Sequence, residues 1–67
     1  MKGGKLLERI TLDPDVMTGK LVIRGTRLTV QFILGLLANG ASEEEILEEY
    51  KGLVRDDIKA CLLFATE

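Results

Sequence analysis

VQFILGLLANGASEEEILEEYKGLVRDDIKACLLFA, Val30 to Ala65, is the stretch whose periodicity sets the fold class. Val30, Ile33, Leu34 and Leu37 recur at helical spacing. Phe32 and Leu36 lie on a different side, so this helix is apolar nearly all round and belongs in the middle of its fold. Asn39-Gly40 is a C-terminal stop. Ser42 with Glu45 three residues on has capping-box spacing, and Ala41 with Ile46 supplies a weak staple. The second helix then buries Ile46, Leu47 and Tyr50 and shows Glu44, Glu45, Glu48 and Glu49 to water. Lys51-Gly52 breaks it. The last segment places Ile58, Cys61, Leu62 and Ala65 on one stripe, with Leu63 and Phe64 left over. Three helices at about 29–39, 42–51 and 54–66, joined by short connections, predict a helix-turn-helix or homeodomain-like bundle.

Upstream, residues 1–5, MKGGK, are Gly-rich and are expected to be a flexible N-terminus. LLERITLD alternates around Ile10 and Leu12, with Arg9 and Thr11 opposite, as a half-buried strand does. Asp13-Pro14-Asp15 ends it, since proline removes a donor and aspartate favours turns. KLVIRG is a second short strand, closed by Gly25, and Thr29 can cap the helix that follows. The expected architecture is mainly α. A short β arm or hairpin over residues 6–28 precedes three helices in a single domain, 6–67.

A chain of 67 residues builds one small core, burying only about 60% of the surface its unfolded form exposes. It has one cysteine, Cys61, and no histidine, so neither an intrachain disulfide nor a recognisable zinc set can staple it. Self-association as a homodimer, or a protein partner, is the expected remedy. The lone thiol suits a reducing cytoplasm. No stretch approaches a membrane span or a signal peptide, so a cytoplasmic protein without a membrane partner is expected.

Nine basic and eleven acidic side chains nearly balance, at net −2, but they are unevenly distributed. Six basic residues and three acids precede Val30; three basic residues and eight acids follow from there on. The front is basic and the rear acidic. If the chain meets nucleic acid, the basic arm with Arg9, Lys20, Arg24 and Arg27 is the better candidate. Arg55 and Lys59, at the front of the last helix, could reach DNA, but Asp56 and Asp57 would face the same phosphates. Those aspartates suit a helix N-terminus instead. Within the arm, Arg24 is expected to tie the turn to a carboxylate and Arg27 to meet a partner.

Catalysis has little to work with. Ser42 reads as a cap and Cys61 as a small buried hydrophobe. The DPD and EEE acids read as solvated groups, and GKLVIRGT lacks the spacing of a phosphate loop. The expectation is no enzyme, no cofactor, no metal and no small-molecule substrate. Phe32, Leu36, Leu63 and Phe64 exceed what an inward-facing three-helix core requires, and they point to a protein interface.

The stretches RITLDPDVMTGKLVIRGTRLTV, ILGLLANGASEEEILEEY and LVRDDIKACLLFA together resemble the family known as domain of unknown function 433. Gly19, Lys20, Ile23, Arg24, Gly25, Thr26 and Arg27 form the most specific part, and Gly40 to Tyr50 adds independent support. The resemblance implies a homeodomain-like three-helix fold with an N-terminal β element. It also implies an antitoxin of a bacterial type II toxin–antitoxin pair, binding and neutralising a PIN-like nuclease toxin and autoregulating its operon. Two other functions stay open: a DNA-binding regulator without a toxin, and an orphan helical dimerisation module. The chain departs from the family pattern at Leu21 and Thr29, where proline is common, and at Val54, where Thr or Ser usually opens the last helix. Valine has no oxygen to cap with, so a loss of about 1 kcal/mol is expected there. Any toxin-wrapping tail after the third helix is expected to be absent or very short.

Overall fold

The structure, a computed structural model, describes residues 2–12 and 19–66, with side chains from Lys5 onward. The turn expected at Asp13-Pro14-Asp15 lies outside the described residues. Among the described residues six elements follow one another: helix α1 (Lys2–Leu7), strands β1 (Ile10–Leu12) and β2 (Leu21–Ile23), and helices α2 (Val30–Ala38), α3 (Glu43–Glu49) and α4 (Arg55–Ala65). The protein is therefore mainly helical with a small two-stranded antiparallel sheet.

The hairpin pairs Ile10 with Ile23, Thr11 with Val22 and Leu12 with Leu21. Ile10 packs against the core, whereas Leu12, expected on the same buried face, is 61% exposed. Val22 and Ile23 are both buried although they point to opposite faces, so β2 is covered on both sides. A further bridge joins Val22 to Thr29 and draws the start of α2 against β2.

Local chemistry fixes the ends of the helices as the sequence leads one to expect. The Thr29 hydroxyl accepts the Phe32 N–H at 3.0 Å, the N-cap of α2. Ser42 and Glu45 complete a capping box on α3: the Ser42 N–H donates to Glu45 Oε1 at 2.8 Å, and the Glu45 N–H donates to Ser42 Oγ at 3.1 Å. After α2, the Gly40 N–H reaches the Leu37 carbonyl and the Ala41 N–H the Leu36 carbonyl, the paired bonds of a Schellman stop. Gly40 holds φ +98° there, and a Cβ at this position would meet nothing within 4 Å. Gly40→Ala is therefore expected to destabilise by backbone strain alone, about 1 kcal/mol, read as a lower urea midpoint at unchanged slope.

The core is a cluster of Ile23, Val30, Ile33, Ile46, Leu53, Ile58 and Cys61. α4 lies at its centre, packed against α1, α2 and α3. Two expectations are corrected here. The segment KGGKLL, within the start expected to be flexible and the first residues of the β arm, forms α1. Its two glycines give poor intrinsic propensity, and packing on α4 supplies what propensity does not. The buried stripe of α4 is Asp57, Ile58, Ala60 and Cys61, with Leu62 and Ala65 exposed. Having neighbours on several sides moves the buried arc of α4 away from Leu62.

Candidate functional site

The segment joining β2 to α2 is a self-braced turn. The Ile23 carbonyl accepts both the Thr26 N–H at 3.0 Å and the Thr26 hydroxyl at 2.8 Å. The Thr26 oxygen in turn accepts the Leu28 N–H at 3.1 Å, and Gly25 takes φ +84°. Arg24 is bound into this frame: its Nε donates to the Glu8 carbonyl at 3.0 Å and its backbone N–H to the Arg9 carbonyl at 2.7 Å. Among the described residues it thus ties the turn to a backbone oxygen and not to a carboxylate.

Arg9 is also held inside the fold. Its Nη1 meets Asp57 Oδ1 at 3.1 Å and its Nη2 meets Asp56 Oδ2 at 3.7 Å. Asp57, only 6% exposed, uses its other oxygen to accept the Val54 N–H at 3.1 Å. The cap that Val54 cannot supply from its own side chain is therefore partly replaced by the reciprocal bond from Asp57. Sequence reading missed this role, because two adjacent acids at a helix start look alike. The only signal was an acid three residues after the N-cap position, and valine at that position conceals the capping-box pattern. Arg55 pairs with Glu43 at 2.9 Å, bracing α4 against α3.

Of the six basic candidates, Arg9, Arg24 and Arg55 thus make intramolecular contacts. Lys20, Arg27 and Lys59 are exposed, and among the described residues they form no salt bridge. The braced turn therefore presents Arg27 to the surroundings, while Lys20 stands exposed at the other end of β2, just before Leu21.

The four apolar candidates separate as well. Leu36 is half-buried against the core and Leu63 is half-buried. Phe32 and Phe64 are 42% and 38% exposed. Phe64 borders a groove of about 460 Å³ between β2, α2 and α4, whose walls include Leu21, Val30 and Leu34 and whose rim carries Lys20. An apolar cleft with a cation at its edge can hold an apolar anchor beside a carboxylate. Leu21 and Leu34 were not expected in a site, because at helical and strand spacing they read as core.

Nucleophilic chemistry is disfavoured where the one thiol sits. Cys61 is fully buried, and that burial, reinforced by the nearby Asp57 carboxylate, pushes its thiol up to about 11. It is protonated and inaccessible at neutral pH. Among the described residues no group of three His, Cys, Asp or Glu could hold a metal ion, and no helix is long and apolar enough to cross a membrane.

A family model described as a protein of unknown function (DUF433) matches residues 10–65. The chain belongs to the DUF433 family. A crystal structure of a DUF433 member protein from Anabaena variabilis ATCC 29413 is similar to it at 30% identity with a TM-score of 0.82, over 94% of this chain and 62% of that one. The uncharacterized protein y4eO of Sinorhizobium fredii is 34% identical over 58 residues, which is 87% of this chain. The DUF433 chain spans 26% of the length of y4eO, so that relative holds much more than the unit described above. The family match takes in the hairpin, the braced turn and α2–α4, and it begins after α1.

Proposed function

We propose that this DUF433 protein is the antitoxin-like half of a bacterial type II toxin–antitoxin pair. It would bind and neutralise a PIN-like nuclease in the cytoplasm, acting by binding rather than by catalysis. The observation that carries this reading is the groove beside Phe64, an apolar cleft with Lys20 at its rim. A nuclease of this type gathers carboxylates at its centre, and a cation beside an aromatic anchor complements such a surface. The α2–α4 unit with its short connections is read as a homeodomain-like bundle that carries the braced turn.

Operator binding is the second reading, favoured by the exposure of Arg27 on the braced turn and of Lys20 at the start of β2. The helices suit it poorly: α3 carries five glutamates, Asp56 is exposed, and Arg55 is paired to Glu43. Contact with phosphate would therefore run through the turn, as autoregulation alongside toxin binding.

Co-expression with a PIN-like nuclease encoded beside it, followed by pull-down, tests the first reading. The expected result is a complex that Phe64→Asp abolishes and Lys20→Glu weakens by at least about tenfold, with Lys59→Ala unaffected. Failure of the unaltered chain to capture any such neighbour would count against it.

A further inference from the structure

α2 carries a second surface on the side opposite the groove. Phe32 and Leu36 sit one turn apart there, while Val30 and Leu34 face the groove. The Phe32 ring meets Tyr50 edge-on, with centroids 5.7 Å apart and planes at 90°, so the apolar strip crosses from α2 to the end of α3. At one end Arg27, Leu28 and Phe32 line a hollow of about 220 Å³. At the other, Leu36, Tyr50 and Glu49 line a hollow of about 480 Å³. The strip is aromatic in the middle, cationic at one end and anionic at the other. Glu45 also borders the anionic end, but its carboxylate accepts the Ser42 N–H, which leaves Glu49 as the carboxylate available at that rim.

A strip with this polarity complements itself after a half-turn. About a two-fold axis near the Phe32–Tyr50 pair, Arg27 of one copy faces Glu49 of the other, and the same contact recurs on the far side. The parallel arrangement sets Arg27 against Arg27 and Glu49 against Glu49, which like-charge repulsion disfavours. We infer that the occupant of this strip is a second copy of the chain. The two copies lie antiparallel through Phe32 and Tyr50, and reciprocal Arg27–Glu49 pairs set their register. The pairing does not rest on the nuclease reading, since it leaves the groove on the other side of α2 open.

Sedimentation of the purified chain alone tests it, with circular dichroism confirming that each variant is folded. The expected result is a concentration-dependent dimer that Phe32→Asp converts to monomer. Arg27→Glu and Glu49→Arg should each raise the dissociation constant at least about tenfold, and the two together should restore it to within about threefold. A chain that stays monomeric at millimolar concentration overturns the inference and leaves the strip to a different protein. So does a dimer indifferent to the single changes, or a folded double variant that fails to recover. Because Phe64 and Lys20 are untouched, nuclease capture is scored separately from pairing.

Discussion

Replacing Asp57 with alanine is expected to destabilise the fold by about 2 kcal/mol. Its carboxylate bonds in two directions. One oxygen accepts the Val54 N–H at 3.1 Å and the other meets Arg9 at 3.1 Å, joining the start of β1 to the start of α4. Losing the N-terminal acceptor costs about 1 kcal/mol. The Arg9 side chain is 40% exposed, so solvent screens the ion pair, and Asp56 remains nearby at 3.7 Å; that part contributes about 1 kcal/mol at most. Asp57→Asn separates the two, because an amide oxygen can still accept from Val54 while the charge is gone; its expected loss is about 1 kcal/mol. Urea denaturation of both variants, and of Arg9→Ala with and without Asp57→Ala, gives the cap and the pair as distinct energies.

Ile58→Ala is expected to have the larger effect, about 3 kcal/mol. The side chain is fully buried in the cluster built by β2, α2, α3 and α4, and removing three carbons leaves a cavity that these neighbours only partly close. By usual per-residue stabilities a domain of 67 residues has roughly 3–10 kcal/mol of stability, so this one change removes about a third of it at the upper end and nearly all of it at the lower. Ile58→Val, which removes a single methylene, should lose only about 1 kcal/mol. A similar loss from both changes would mean that the site relaxes freely and that α4 is not the centre of the core.

What was legible in the chain was what neighbouring residues decide among themselves. Thr29, Ser42 with Glu45, and Asn39-Gly40 act within a turn of their own helix, and α2 begins and ends, and α3 begins, within a residue or two of where those signals place them. The two strands were readable in kind because Ile10-Thr11-Leu12 alternates, Leu21-Val22-Ile23 is a short apolar run, and turn residues bound both. The features that escaped reading depend on distant partners. KGGKLL becomes α1 only because α4 covers it, and nothing in two glycines announces that. Asp57 is buried because Arg9, 48 positions away, reaches it. Leu62 is exposed because the packing around α4 selects a different arc from the one that hydrophobicity alone suggests.

The candidate surfaces were half legible for the same reason. Phe32 and Phe64 stood out as more apolar side chains than one small core needs, and both remain exposed. Arg24 and Arg27, identical in sequence terms, diverge only once the chain folds: one donates to the Glu8 carbonyl, and the other projects from the braced turn. The groove behind Phe64 could not be foreseen, because Leu21 and Leu34 come from elements whose juxtaposition is tertiary.

The proposed neutralising role is tested most directly by nuclease activity itself. Under the proposed role, nucleic-acid cleavage by a PIN-like nuclease encoded beside it should fall to background as the unaltered chain is titrated to stoichiometry, and Phe64→Asp should leave cleavage intact. Cleavage that persists at full rate in excess unaltered chain would contradict the antitoxin-like reading.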